Sequence, residues 1–444
     1  MANPIPNLFK VPELKEKILF TLMVLLIYRF GAHITVPGVN YIALEVAFGQ
    51  FADTLLGVYD MFVGGALSKA TVLALGIMPY ISASIMFQLL AAVFPTIEKM
   101  QKEGEDGRKK LTQWTRYATI VLAAMQGIGY SFFLQSLNAQ TPGVVMATGP
   151  WFILTSTLIF TIGAVFVMWL GEQITERGIG NGMSLLIFFS IIQGFPGGAY
   201  TTWQQVTTGV ISWFAVFMLL AVMVAVIAGV VAMTMASRKI PVQIPRKVMG
   251  RGRVREGQKS FIPLRINSAG VMPIIFAQSI IIIPGTAAQF SSIGFLQGAS
   301  EYLQPGAALY NLLYALLILF FTYFYTSIIF NPVDLAENLK KQGGFIPGVK
   351  PGARTAEYID YVLSRVTIVG AIYLALIALL PFWIIGWFNL GNTFFFGGTS
   401  LLIVVGVALD TVQQMQQHML LRHYEGFMKK GRVRFRGRQG TGGF

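Results

Sequence analysis

The sequence predicts an all-α polytopic membrane protein with ten transmembrane helices in two inverted five-helix halves. Three observations predict it. Hydrophobic residues make up 55% of the chain and charged residues 12%, where soluble domains carry about a quarter charged, and the mean hydropathy is +0.64. Apolar runs long enough to cross a bilayer recur along the whole chain. The loops between them fall into two sets, one strongly basic and one with no lysine or arginine, as repeated crossing requires.

Runs of spanning length lie at 18–36, 72–93, 117–137, 151–171, 209–235, 268–290, 309–330, 366–388 and 399–417. The first follows basic residues as a signal peptide would. It lacks a small-residue cleavage site and many spans follow it, so it reads as a retained span. The segment 183–194 is short for a span, and charge decides it. The loops 94–116, 238–265 and 332–365, both termini and Arg177 hold nearly all the Lys and Arg, whereas 138–150, 196–208, 291–308 and 389–398 hold none. Deleting the 183–194 crossing would move either Arg177 or the basic 238–265 loop to the wrong side, so the segment crosses as a tilted or irregular helix. Both termini and all basic loops are then expected in the cytoplasm. Trp151, Trp213, Trp383 and Trp387 fall near the outer ends of their spans, and Trp114 and Trp169 near the inner ends, as an aromatic belt places them. Ten spans divide into five and five, and because five is odd the two blocks run in opposite directions.

Between the first two spans, MFVGGALSKA is too short to cross and too rich in glycine to be a stable helix alone. The run after it carries Ile77, Ile81, Ser84 and Gln88 along one helical stripe, apolar at one end and polar at the other. A glycine hinge feeding such a stripe suggests a gated passage.

The spans hold almost no ionisable groups. Arg29 and Asp410 are the exceptions and read as paired or snorkelling residues. A secondary transporter for a small solute, the alternative reading, needs a polar or charged midplane cluster, and an intramembrane enzyme needs a nucleophile–base or carboxylate pair. The sequence offers neither. No HExxH, Gly-x-Ser-x-Gly or phosphate-binding loop occurs. The chain has 3 histidines, spread between span 1 and the tail, and 0 cysteines, so neither a metal nor another cofactor is expected. Any energy for transport must come from a partner. The basic loops suggest where it docks. Alternating β-branched and basic residues around a Gly250–Gly252 tip make 236–265 a projecting hairpin, and the Gly/Pro content of 332–365 makes it an ordered but irregular finger. Both carry more positive charge than topology needs, which suits an acidic or nucleic-acid surface.

LGIMPYISAS, WLGEQITERGIGNG, FNPVDLAENLKKQGGFIPG and FGGTSLLIVVG closely resemble the SecY/Sec61 alpha family in its bacterial form, the central subunit of the Sec protein-conducting channel. The resemblance runs from the first span to the last. It implies two five-span halves, 1–195 and 196–418, around a central hourglass pore, with 419–444 as a basic tail. It also implies passage of unfolded polypeptides across the bacterial inner membrane and sideways release of transmembrane segments. By motif, the plug corresponds to residues 60–70, with Met61, Phe62, Gly64, Gly65 and Leu67. The pore ring matches Ile77, Ile81, Ile187, Ile275 and Ile403, with Met183 at a further position that the family often fills with isoleucine. Gln88 and Asn267 resemble the lateral gate and are expected to hydrogen-bond across it. Arg251, Arg253, Arg255, Lys350 and Arg354 lie where a motor docks. Lys350 stands in place of the usual arginine, keeping the charge without the forked donor geometry. The partners implied are SecE and SecG, the SecA ATPase, the ribosome, signal sequences with nascent polypeptides, and membrane lipids.

Overall fold

The computed structural model describes residues 12–51, 54–243, 248–249, 253–254, 259–290, 304–388 and 398–430. Each of the ten expected spans falls on a helix. These are α1 (Pro12–Gly31), α4 (Met78–Val93), α6 (Glu105–Gln140), α7 (Pro150–Arg177), α8 (Gly182–Thr207), α9 (Trp213–Met235), α10 (Met272–Phe290), α11 (Ala308–Ile329), α13 (Ala353–Phe388) and α14 (Gly398–Lys430). Among the described residues six of them, α6, α7, α8, α9, α11 and α13, are long and apolar enough to cross a membrane on length and composition. The short helices α2 (Tyr41–Phe48) and α3 (Leu55–Val63) lie between spans, α5 (Pro95–Lys102) follows α4, and α12 (Pro332–Lys341) follows α11. One apolar cluster joins residues from α1, α3, α4, α6, α7, α8, α9, α10, α11, α13 and α14, so both halves share a core.

Two spans differ from expectation for local reasons. The run at 72–93 becomes helical only at Met78, because Gly76 has φ +54° and the chain before it turns. It then bends by 110° into α5 at Phe94, whose extended conformation (φ −103°, ψ 113°) is what the following Pro95 demands. The short span 183–194 is a full 26-residue helix, α8, that continues through Pro196 to Thr207. The expected boundary between halves at 195/196 therefore falls inside α8.

The basic loops fold as one body. β1 (Ser237–Gln243) pairs antiparallel with β4 (Lys259–Arg265), with Ser237 opposite Arg265 and Gln243 opposite Lys259. Nearer the tip, β2 (Val248–Met249) pairs with β3 (Arg253–Val254). The expected hairpin is present. The second loop is less irregular than expected, since its first part is α12, capped by Asn331, whose Oδ1 accepts the Val333 N–H at 3.1 Å, and opened by Pro332. Gln243 and Phe345 exchange both backbone hydrogen bonds at 2.9 Å. Ile240, Val242, Leu264, Ile346 and Ile359 then form a separate small core beneath the two loops.

Candidate functional site

A funnel of ≈ 400 Å³ opens between α4, α6, α7, α8 and α10. Its polar wall carries Ser84, Gln88, Thr112, Arg116, Glu172, Thr175, Glu176 and Asn181, and its apolar wall carries Ile81, Met183, Ile187, Met272, Ile275 and Phe276. Arg116 grips Glu172 with two parallel bonds, Nε–Oε1 and Nη2–Oε2, both 2.8 Å. This forked pairing fixes α6 against α7 at the funnel wall, a brace that the sequence reading missed.

The expected ring positions are buried, with exposures of 5% for Ile77, 5% for Ile81, 2% for Ile187, 3% for Ile275 and 0% for Ile403. All five belong to the same apolar cluster. Ile81, Ile187 and Ile275 line the funnel together, with Met183 beside them. Ile77 precedes the first residue of α4, and its carbonyl accepts the Ile81 N–H at 3.1 Å. Ile403 lies on α14, away from the funnel lining.

The expected plug segment is helical from further upstream. α3 begins at Leu55, where the Thr54 hydroxyl caps the Leu56 N–H at 3.3 Å. It ends at Val63, and Gly64 (φ +73°) and Gly65 (φ +74°) turn their N–H groups back to Met61 O at 3.2 Å and Asp60 O at 2.9 Å. The glycines are thus a rigid left-handed cap rather than a loose hinge. Residues 64–71 fold back on the helix. The half-buried Asp60 carboxylate accepts the N–H groups of Leu67 and Ser68, each at 2.9 Å. Burial pushes the Asp60 carboxyl above the ordinary carboxylate range, opposed by its hydrogen bonds from Ser68 and Leu67 and by the charge of Lys69. The base of this unit is pinned to the strand-like end of the first span by Val36 N to Ala70 O at 3.0 Å and Val72 N to Ile34 O at 2.8 Å. Met61, Phe62, Gly64, Gly65 and Leu67 all lie within it, with Phe62 3% and Leu67 0% exposed.

At the expected lateral gate α4 packs on α10, where the Ser279 hydroxyl points at Met78 Sδ, 4.0 Å away. Gln88 lines the funnel and also a second cleft of ≈ 800 Å³ bounded by α4, α5, α6, α11, α12 and α13. It therefore sits where the two cavities meet. The expected bond from Gln88 to Asn267 is not formed. Gln88 donates to Ser84 Oγ at 3.2 Å on its own helix, and the buried Asn267 Oδ1 has no partner. The reason is local. Gly270 (φ +64°) and Pro273 delay the start of α10 to Met272, so Asn267 lies in the preceding turn and not on the helix face.

Lys350 and Arg354 are exposed on the joined loops. The backbone of Arg253 lies in β3, while its side chain, with Arg251 and Arg255, lies outside the described residues.

The SecY family model matches residues 71–412 of this chain. The chain belongs to the SecY family. The protein translocase subunit SecY of Escherichia coli K12 is 45% identical over 431 residues, covering 96% of this chain and 96% of that protein. That of Aquifex aeolicus is 42% identical, covering 97% of this chain and all of its own length. Among solved structures, a SecY channel whose plug domain is described as stabilising the closed state and maintaining a membrane seal superposes with a TM-score of 0.66, at 17% identity over 98% of this chain and 100% of that one. Canine Sec61 in a ribosome–channel complex superposes with a TM-score of 0.62, at 16% identity over 98% of this chain and 100% of that one. These structural likenesses establish the fold, and the sequence relatives establish the family.

Proposed function

We propose that the chain is the pore-forming subunit of a protein translocase, passing unfolded polypeptide across the membrane and releasing apolar segments sideways between α4 and α10. The observation that carries this reading is a cavity with one polar wall and, facing it, buried isoleucines from three different helices, Ile81, Ile187 and Ile275. A polypeptide channel must accept any side chain yet stop ions. Branched apolar groups present no fixed charge and no oriented dipole, and a constriction made of them dewets when empty. Isoleucine is stiff at χ1, so such a constriction keeps its shape until the helices themselves move apart.

In this reading Ile77 and Ile403 complete the ring around the same apolar cluster, and α3 with its 64–71 return is the plug. Gln88 marks the gate seam, with Asn267 in the turn that opens α10. The joined basic loops, with Lys350 and Arg354 exposed, face the cytoplasm together with both termini. There they receive the driving partner, SecA or the translating ribosome, and SecE and SecG complete the complex in a bacterial inner membrane.

The test is transport itself. Vesicles carrying the complex, supplied with the motor ATPase and ATP, should render a signal-bearing unfolded polypeptide resistant to external protease. Complete digestion under conditions where the motor hydrolyses ATP contradicts the reading.

A further inference from the structure

The glycine cap of α3 leaves main-chain carbonyls over, as every helix C-terminus does. Asp60 O and Met61 O are used by the cap itself. Three carbonyls at the end of α3 and in the return accept from side chains of three different spans, Leu67 O also accepting the Ala70 N–H at 3.0 Å. The Tyr130 hydroxyl on α6 donates to Leu67 O at 2.5 Å, and the Gln193 amide on α8 donates to Gly64 O at 2.7 Å. The Tyr28 hydroxyl on α1 lies 3.3 Å from Val63 O and 2.9 Å from the Ser190 hydroxyl. Ser190 gives its own proton to Leu186 O at 2.9 Å, so Tyr28 shares one proton between Ser190 and Val63. Tyr28 is 2% exposed, Tyr130 1% and Ser190 1%. Tyrosine hydroxyls buried, and a glutamine amide half-buried, among apolar helices are costly unless each finds an acceptor.

We propose that Tyr130 and Gln193, with Tyr28 in support, form a latch that holds α3 in the closed position by its backbone, rather than by the identity of its side chains. The proposal rests on the reading of α3 as the plug and adds what retains it. Because the captured atoms are carbonyls of residues 63, 64 and 67, the side chains of this segment are free to change without loss of the latch. The hold is also reversible. When α3 leaves, water entering the pore can satisfy the three donors, so each bond contributes only its net difference against water. By that difference each donor shifts the closed–open balance about two- to tenfold. The Asp60 bonds to Leu67 and Ser68 keep the helix and its return together, so the unit is released as one body about the base pinned at Ala70 and Val72. The latch residues are positioning residues. They touch the barrier and not the polypeptide.

The experiment is single-channel recording from the full complex in planar bilayers, comparing the native chain, Tyr130→Phe, Gln193→Leu and their combination, each also in a chain lacking residues 55–67. Thermal unfolding of every variant is measured alongside. Tyr130→Phe and Gln193→Leu should each raise the resting open probability about two- to tenfold and multiply together, with no further rise in the deleted chain, where no carbonyl remains to be held. Unchanged open probability in the two variants, while the deletion alone raises it, overturns the latch and leaves the plug reading standing. A rise of equal size in the deleted chain also overturns the latch, since the side chains would then act elsewhere. If the deletion itself changes nothing, the plug reading fails, and the latch fails with it.

Discussion

Gly76→Ala tests how the seated helix α3 is braced by the 71–77 segment. Gly76 has φ +54°, and a Cβ built there would lie 2.9 Å from Val63 Cγ1 and 3.1 Å from Cγ2. Val63 is the last residue of α3 and is 1% exposed. Two costs follow, and they act on different equilibria. The left-handed backbone costs an alanine about 1–2 kcal/mol. That strain persists whether α3 is seated or displaced, so it lowers thermal stability without opening the channel. The clash exists only while Val63 is in place. Overpacking of a stiff branched side chain costs about 1–3 kcal/mol, which corresponds to roughly a five- to 150-fold shift toward the open state. Resting ion conductance of the complex in planar bilayers should therefore rise. The double variant Gly76→Ala/Val63→Ala should recover part of the seal, because it removes the atoms that clash, and the two effects should be markedly non-additive. A lowered Tm with unchanged conductance would refute the claim that the 71–77 segment braces the closed helix.

Other perturbations address the remaining parts. Ile81→Gly and Ile275→Gly remove side chains from the apolar wall of the funnel, and each should make the resting channel leak small ions; native conductance in both would count against the constriction. Asp60 has a raised pKa in the closed state, so protonation favours that state. The seal should be fully present at low pH and weaken as pH rises through the raised value, while Asp60→Asn, which keeps the acceptor oxygen, should leak independently of pH. A pH-dependent leak that survives in Asp60→Asn assigns the titration to another group. Lys350→Glu with Arg354→Glu should weaken binding of the motor or ribosome several-fold at low salt and less at high salt, and unchanged co-sedimentation with both partners would exclude these two residues from docking.

The spans were legible because hydropathy over about 20 residues and the sidedness of Lys and Arg are local, additive signals. The 236–265 hairpin was legible for the same kind of reason, alternating residues around a glycine tip. The misreadings cluster at glycine and proline. Gly194, Pro196, Gly197 and Gly198 read as the end of a helix, yet α8 runs through them to Thr207. Gly270 and Pro273 did signal the late start of α10, and weighing them would have removed the expected Gln88–Asn267 bond. Thr54 likewise marked the true start of α3. Ile77 and Ile81 stood out on their stripe, but Ile187, Ile275 and Ile403 became pore candidates only through the family resemblance, since each alone looks like ordinary packing. Tyr28, Tyr130 and Gln193 gave only the faint signal of polar groups inside apolar spans. Their meeting on one short helix depends on contacts across the fold that no periodicity encodes.

The central claim is that polypeptide passes through the isoleucine constriction. The chain has 0 cysteines, so single cysteines at Ile77, Ile81, Ile187, Ile275 and Ile403 can each carry a crosslinker without background. A polypeptide stalled half-way through the complex should crosslink at these positions and not from cysteines at Leu19 or Phe217, which are 65% and 71% exposed on the outer surfaces of α1 and α9. Crosslinks at Leu19 or Phe217, with none at the five isoleucines, would contradict it.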